Sequence, residues 1–288
     1  MEYIPNVHEA WEMQRSSLTG FFLYGIESWY NKYAPQPVTT NEIDSIYNLE
    51  CYIKPDSNVL TVAGSGEQPL FSKLYGAKNI TTFDISYNAY VMTTLKIAAL
   101  QSFSSSEKFS AFIRDTAENA APYYFLNTPN MPSVMTKLSQ LSPIQAKYII
   151  EASMNGASVC INDESCNFYT IPQNKYSELR KTLQKPLPFI WTDIMNLDKK
   201  LKDETFDIIW YSNILEFVNP KNQISILENT KKRVNNHGNI FLTLSPCNRL
   251  NMISLCMNTF KRPDWNVDVI VKDTHNFTCI VIENTKAR

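Results

Sequence analysis

Three observations predict an α/β chain built on a Rossmann-like, doubly wound, mostly parallel sheet. From residue 58 onward, short apolar runs rich in β-branched and aromatic residues alternate with helical stretches. A glycine loop, Gly64-Ser65-Gly66-Glu67-Gln68, directly follows the first apolar run. An aspartate, Asp84, closes the second run twenty residues after Gly64.

In chain order, residues 7–33 read as one or two aromatic-rich helices. They are interrupted near Thr19-Gly20 and ended by Pro35 and Pro37, whose rings cannot continue a helix. A second helical stretch, 41–53, leads into the turn Lys54-Pro55-Asp56. Residues 1–54 are therefore expected to form an N-terminal helical cap on a domain spanning 55–288. The first strand is expected at 58–63, followed by a helix from Pro69 to Tyr75 with Gly76 as its C-terminal cap. The second strand, "ITTFD", ends at Asp84, and a long helix, "YNAYVMTTLKIAAL", follows. Strand-type runs resume at 188–193, 206–212 and 239–245, each nearly continuous in apolar residues, as strands buried on both faces require. The last segment reads as two antiparallel strands around "DTHN", which brings the sheet to seven.

Between Leu100 and residue 188 lie about ninety residues that a βαβ crossover does not need. "SSSEKF" offers a capping box, Ser104 with Glu107, and "SPIQAKYIIEASMNG" and "NKYSELRKTLQK" are helical in pattern. Residues of about 101–187 are thus expected to be a mainly helical insertion, serving either as a lid over the carboxyl edge of the sheet or as a structural extension.

Composition narrows the function. A formal net charge of -1 offers no electrostatic footprint for nucleic acid, so a small molecule is the expected partner. Lys199-Lys200 and Lys231-Lys232-Arg233 read as solvated surface at the ends of elements. The six cysteines show no CxxC, and the three histidines, His8, His237 and His275, are far apart, so no metal site is expected. The N-terminus lacks a basic region followed by an apolar one, and "LTGFFLYGI" is too short to span a bilayer. A reduced, soluble, cytoplasmic protein without a transmembrane segment is the expectation.

The loop chemistry points to a nucleoside ligand. Glycines at 64 and 66 permit a tight turn and close backbone approach just before a helix. Asp84 stands where an acidic group accepts from two ribose hydroxyls. A dinucleotide fingerprint wants Gly or Ala at position 69 and a helix N-terminus open to pyrophosphate, whereas this chain has Pro69 and the acidic Glu67. A cofactor with a cationic centre and no phosphate fits better, namely S-adenosylmethionine. Ala63, Gly64, Ser65, Gly66 and Gln68 are then expected on the methionyl side, Asp84 and Ile85 on the ribose, and Asp193 and Ile194 on the adenine. For Asp193 a helix N-cap is the competing reading.

The segments "VLTVAGSGEQPL", "TTFDIS", "LKIAALQSFSSSEKFSAF" and "FDIIWYSNILEFV" together resemble the betaine-lipid synthase-like family of S-adenosylmethionine-dependent 3-amino-3-carboxypropyl transferases. The likeness covers roughly residues 45–115 and 186–250, and its most distinctive part is the helix Leu-Lys-Ile-Ala-Ala-Leu. The resemblance implies the seven-stranded methyltransferase-type sheet and attack on the γ-carbon of the methionine moiety, with release of methylthioadenosine. The attacking group would belong to a small acceptor, or be the ligand's own amine in a self-cyclisation. Ordinary methyl transfer, leaving S-adenosylhomocysteine, is the alternative. Ser212 and Asn213 are expected near the reacting carbon, Tyr211 against the sulfonium, and Glu216 as an amine ligand or base. Arg15, Tyr24 and Tyr30 could fold over the site from the N-terminal helices, with core and surface placement as the competing reading.

Overall fold

The computed structural model describes residues 51–64, 66–118, 129–154, 171–244, 249–271 and 278–286. Arg15, Tyr24, Tyr30 and Ser65 lie outside them, as does all of the N-terminal cap up to residue 50. The described elements run, in order, β1 (Asn58–Val62), α1 (Glu67–Leu74), β2 (Asn79–Asp84), α2 (Tyr87–Ser102), α3 (Ser106–Glu118), α4 (Met131–Leu141), α5 (Pro143–Met154), α6 (Gln173–Thr182), β3 (Phe189–Trp191), α7 (Ile194–Lys200), β4 (Phe206–Ser212), a 3₁₀ turn (Ile214–Phe217), α8 (Pro220–Lys231), β5 (Val234–Leu244), α9 (Arg249–Thr259), β6 (Trp265–Val271) and β7 (Thr278–Asn284). They divide into a sheet unit, from the described parts of 42–63, 68–84 and 188–288, and a helical unit, from those of 1–41, 64–67 and 85–187.

In the sheet unit the strand order is β3-β2-β1-β4-β5-β7-β6. β1 through β5 pair in parallel, while β7 is antiparallel to both β5 and β6. This is a Rossmann-like sheet of the methyltransferase type, closed at one edge by the expected hairpin. From β1 the chain adds β2 and β3 on one side and β4 and β5 on the other. The switch point therefore falls between β1 and β4, and a crevice at the carboxyl ends of such strands is where open α/β sheets take ligands.

Period-2 alternation divides the sheet's side chains between its faces. Leu60, Phe83, Ile209, Tyr211, Leu242 and Ile282 share one buried cluster with Leu197 of α7, Leu227 of α8 and Met252 of α9. Trp210, on the opposite face of β4, meets Phe241 edge-on at 6.1 Å, and Phe241 in turn meets Tyr52 at 5.4 Å. Trp210 is thus a core residue, 1% exposed.

Two expectations about this unit need correction. β5 begins at Val234, five residues before the expected start, and its pairing with β4 shifts register between Phe206 and Ile208. The extra residues are pinned by Asp207, whose carboxylate accepts from Asn235 Nδ2 and from the Asn58 N–H, each at 2.8 Å. Gly238 is required there, because a Cβ would stand 2.8 Å from Asp207 O. Lys231 and Arg233, expected in solvent, are largely covered at 11% and 15% side-chain exposure. Lys231 Nζ donates to Thr259 O and lies 4.9 Å from the centre of the Phe260 ring, while Arg233 Nε donates to Asp198 Oδ1 at 2.7 Å. Carbonyls left over at helix C-termini draw cations inward in this way. Lys199 and Lys200 are exposed.

In the helical unit α2 is buried along almost its whole length, with Val91, Leu95, Ile97 and Ala98 all at 0%. It packs against α4, and α4 against α5. The end of α2 is held by α6. Tyr176 Oη donates to Leu100 O and Phe103 O, both at 3.2 Å, and Arg180 donates to Leu100 O (2.9 Å) and Gln101 O (3.2 Å). Gln101 answers by donating to Arg180 O and Leu183 O at 2.7 and 2.8 Å. Orphan carbonyls at a helix terminus are thereby satisfied from a segment far along the chain. The N-cap of α3 is Ser105, one residue after the expected Ser104, and no box with Glu107 is built on it. Ser105 Oγ accepts from the Lys108 N–H at 3.3 Å, and Gln173 Oε1 takes the Ser106 N–H at 2.9 Å, so α6 also supplies a donor's partner at the start of α3.

Candidate functional site

The first part of the site grows out of β1. The Ala63 N–H bonds to Phe83 O at 2.8 Å, which carries the β1–β2 ladder one residue past the strand and buries Ala63 completely. The chain then turns through Gly64, at φ 50°, and Gly66, at φ 97°. Both angles lie in the left-handed region where a side chain is penalised. A Cβ at Gly66 would also come within 3.1 Å of Thr93 Cα and 3.3 Å of Thr93 Oγ1, so in the helical unit this end of the loop sits directly on α2. Lys96, one turn further along α2, is only 3% exposed and brings its Cδ to 3.5 Å from the same point. In the sequence this lysine stands out as a single cation inside the apolar run "LKIAAL".

Asp84 occupies the carboxyl end of β2, as expected, and is 7% exposed. Its main-chain oxygen accepts from the Thr192 N–H at 3.0 Å, which extends the β2–β3 pairing to the edge. Burying a carboxylate is costly unless hydrogen bonds compensate it, so an acidic residue at this depth marks a place where donors converge. Ile85 follows, half-buried.

At the carboxyl end of β4, neighbouring side chains take opposite courses. Tyr211 belongs to the core: its ring meets Phe83 edge-on at 5.9 Å and its hydroxyl pairs with Thr230 Oγ1 at 2.9 Å. Burial pushes that phenol up to about 12, against the opposing pull of the Thr230 bond. Ser212, 6% exposed, instead adopts φ 53°, a left-handed conformation rare for a residue with a Cβ. Its Oγ accepts from Gln68 Nε2 at 3.5 Å, and Gln68 Oε1 is buried without a hydrogen-bond partner. Gln68 and Ser212 are therefore two candidates that the fold brings side by side, one from the first turn of α1 and one from the end of β4. Asn213 precedes the 3₁₀ turn, and its carbonyl accepts from the backbone N–H of the half-buried Glu216 at 3.0 Å.

Asp193 caps α7. Its Oδ1 accepts from the Asn196 N–H at 2.8 Å, and the Asn196 amide approaches both carboxylate oxygens at 3.2 and 3.0 Å. Ile194 is half-buried against the sheet core. No helix among the described residues is long and apolar enough to cross a membrane.

No family model and no curated protein matches this sequence. Solved structures do show similarity over most of the chain. The N-methyltransferase NodS from Bradyrhizobium japonicum WM9, determined with S-adenosyl-l-homocysteine, is 10% identical with a TM-score of 0.46, over 96% of this chain and 99% of that one. An rRNA methylase from Streptococcus thermophilus is 10% identical with a TM-score of 0.41, covering 85% and 96%. The ribosomal protein L11 methylase from Lactobacillus delbrueckii subsp. bulgaricus is 11% identical with a TM-score of 0.38, covering 84% and 79%.

Proposed function

We propose that this protein is an enzyme that uses S-adenosylmethionine as a group donor. The observation that carries the proposal is the buried Asp84 at the end of β2 in a sheet whose first strand runs straight into a glycine loop. An acidic side chain there matches the two hydroxyls of a ribose, and the left-handed glycines let the backbone approach the methionyl chain. Asp84 would take the ribose, with Ile85 beside it, and Ala63, Gly64 and Gly66 would line the methionyl side. Asp193 is already engaged as a helix cap, so an adenine contact from it would have to share its oxygens with Asn196.

S-Adenosylmethionine brings an activated sulfonium leaving group, so the protein's task is positioning and exclusion of water rather than covalent help. On the resemblance across "LKIAAL" and "WYSNILEF", we assign attack to the γ-carbon, with a small acceptor or the ligand's own amine as nucleophile. Incubation with S-adenosylmethionine and a cell extract, followed by chromatography of the nucleosides, tests both levels. Methylthioadenosine above the non-enzymatic background is the expected product. A dominant S-adenosylhomocysteine peak would make the reaction methyl transfer. Failure of S-adenosylmethionine and S-adenosylhomocysteine to raise thermal stability would remove the ligand itself.

A further inference from the structure

Gln68 and Ser212 leave two hydrogen-bonding groups of opposite sense without a protein partner. Gln68 Nε2 donates to Ser212 Oγ at 3.5 Å, and this weak contact is the pair's only mutual bond. Gln68 Oε1 is buried and accepts from nothing. Ser212 Oγ is the acceptor in the pair, so its own O–H is left to donate. The result is one acceptor on Gln68 beside one donor on Ser212. A buried amide oxygen with no donor costs free energy, as does a serine held at φ 53°, and costs of this kind persist where a ligand contact recovers them.

Resting on the S-adenosylmethionine reading above, we propose that Gln68 and Ser212 recognise the α-amino-acid head of that substrate. Its ammonium donates to Gln68 Oε1 and its carboxylate accepts from Ser212 O–H. A zwitterionic amino acid carries a donor and an acceptor on one carbon, which is the complement of what this pair offers. Both side chains are uncharged, so they suit a head of zero net charge, and an amine or a carboxylate alone satisfies only one of the two. Fastening both substituents of the α-carbon sets where the methionine chain begins. The torsions between that carbon and the sulfur then select the face of the sulfonium that meets the acceptor. The two residues are specificity and positioning residues, not groups that exchange a proton with the reacting carbon.

The test is calorimetry on the full chain with three probes: S-adenosylmethionine, its decarboxylated form (ammonium but no carboxylate) and methylthioadenosine (neither). The wild type should bind S-adenosylmethionine about tenfold more tightly than the decarboxylated form. Ser212→Ala should lose about tenfold for S-adenosylmethionine and nothing for the decarboxylated form. Gln68→Met should lose about tenfold for both, and methylthioadenosine should bind all three proteins alike. Ser212→Gly removes the hydroxyl while suiting the left-handed backbone, so it should repeat the Ser212→Ala pattern without loss of thermal stability. Equal losses for all probes, or a wild type indifferent to the carboxylate, would overturn the assignment. A wild type that binds methylthioadenosine without discrimination overturns the head-group reading alone. One that binds none of the three overturns the S-adenosylmethionine reading beneath it as well.

Discussion

Tyr176→Phe deletes one oxygen from a fully buried side chain, and the consequence follows from the bonds that oxygen makes. The hydroxyl serves Leu100 O and Phe103 O together, each at 3.2 Å. Leu100 O keeps its bond from Arg180 Nε at 2.9 Å after the deletion, whereas Phe103 O loses its side-chain donor. A buried polar group deprived of its partner costs about 1–3 kcal/mol. Retention of the Arg180 bond places this substitution at the low end, about 1–2 kcal/mol. For a chain of this size each kcal/mol moves Tm by about 2–4 °C, so a fall of a few degrees is expected in far-UV circular dichroism melts. Arg180→Met removes the other donor to the same carbonyl, and in the double variant Leu100 O retains neither. The two effects should therefore couple by about 0.5–3 kcal/mol instead of adding. An unchanged Tm for Tyr176→Phe, or strict additivity in the double variant, would refute the argument that α6 holds the end of α2.

Two other outcomes are expected. Asp84→Ala should weaken S-adenosylhomocysteine binding by about 1–3 kcal/mol, measured calorimetrically, while the fold persists; unchanged affinity would place the ribose elsewhere. Tyr211 titrates near 10 when unfolded and is raised to about 12 when folded, so the unfolded chain ionises first and stability falls as pH rises from 10 towards 12. Burial shifts Tyr148 and Tyr176 in the same direction, so Tyr211→Phe should reduce that alkaline slope without abolishing it. A urea-midpoint profile identical to the wild type's over this range would contradict a buried Tyr211 hydroxyl.

The central strands were legible because each is buried on both faces and so reads as a nearly unbroken apolar run. β4 matches its expected limits to the residue. β5 was read short because Asn235, Asn236 and His237 interrupt the apolar run behind Val234, and Asn235 is bound by a carboxylate from the neighbouring strand. The displaced cap of α3 has the same origin, since Gln173 lies 67 residues from the N–H it satisfies. The position of Asp84 at the end of β2 and the left-handed turn at the glycines were readable from local spacing alone. The pairing of Gln68 with Ser212 was not, because 144 residues separate them and only the strand order brings them together. Tyr211 and Ser212 are adjacent in sequence, yet a strand sends neighbours to opposite faces. An expectation that grouped them as one motif therefore could not tell the core residue from the edge residue.

The fastening of α2 by α6 has a further meaning for how this chain can vary. Tyr176, Arg180 and Gln173 tie α6 to both ends of the short link around Phe103, which joins α2 to α3. Because side chains of α6 hold the terminus of α2, that anchorage does not depend on the length of the intervening chain, and each doubling of a flexible connection adds only about 0.6 kcal/mol of closure entropy. Residues could be added beyond α4, which packs on α2, while the terminus of α2 stays anchored. Such additions would leave the strands that carry Asp84 and Ser212, and the helix that carries Gln68, as they are.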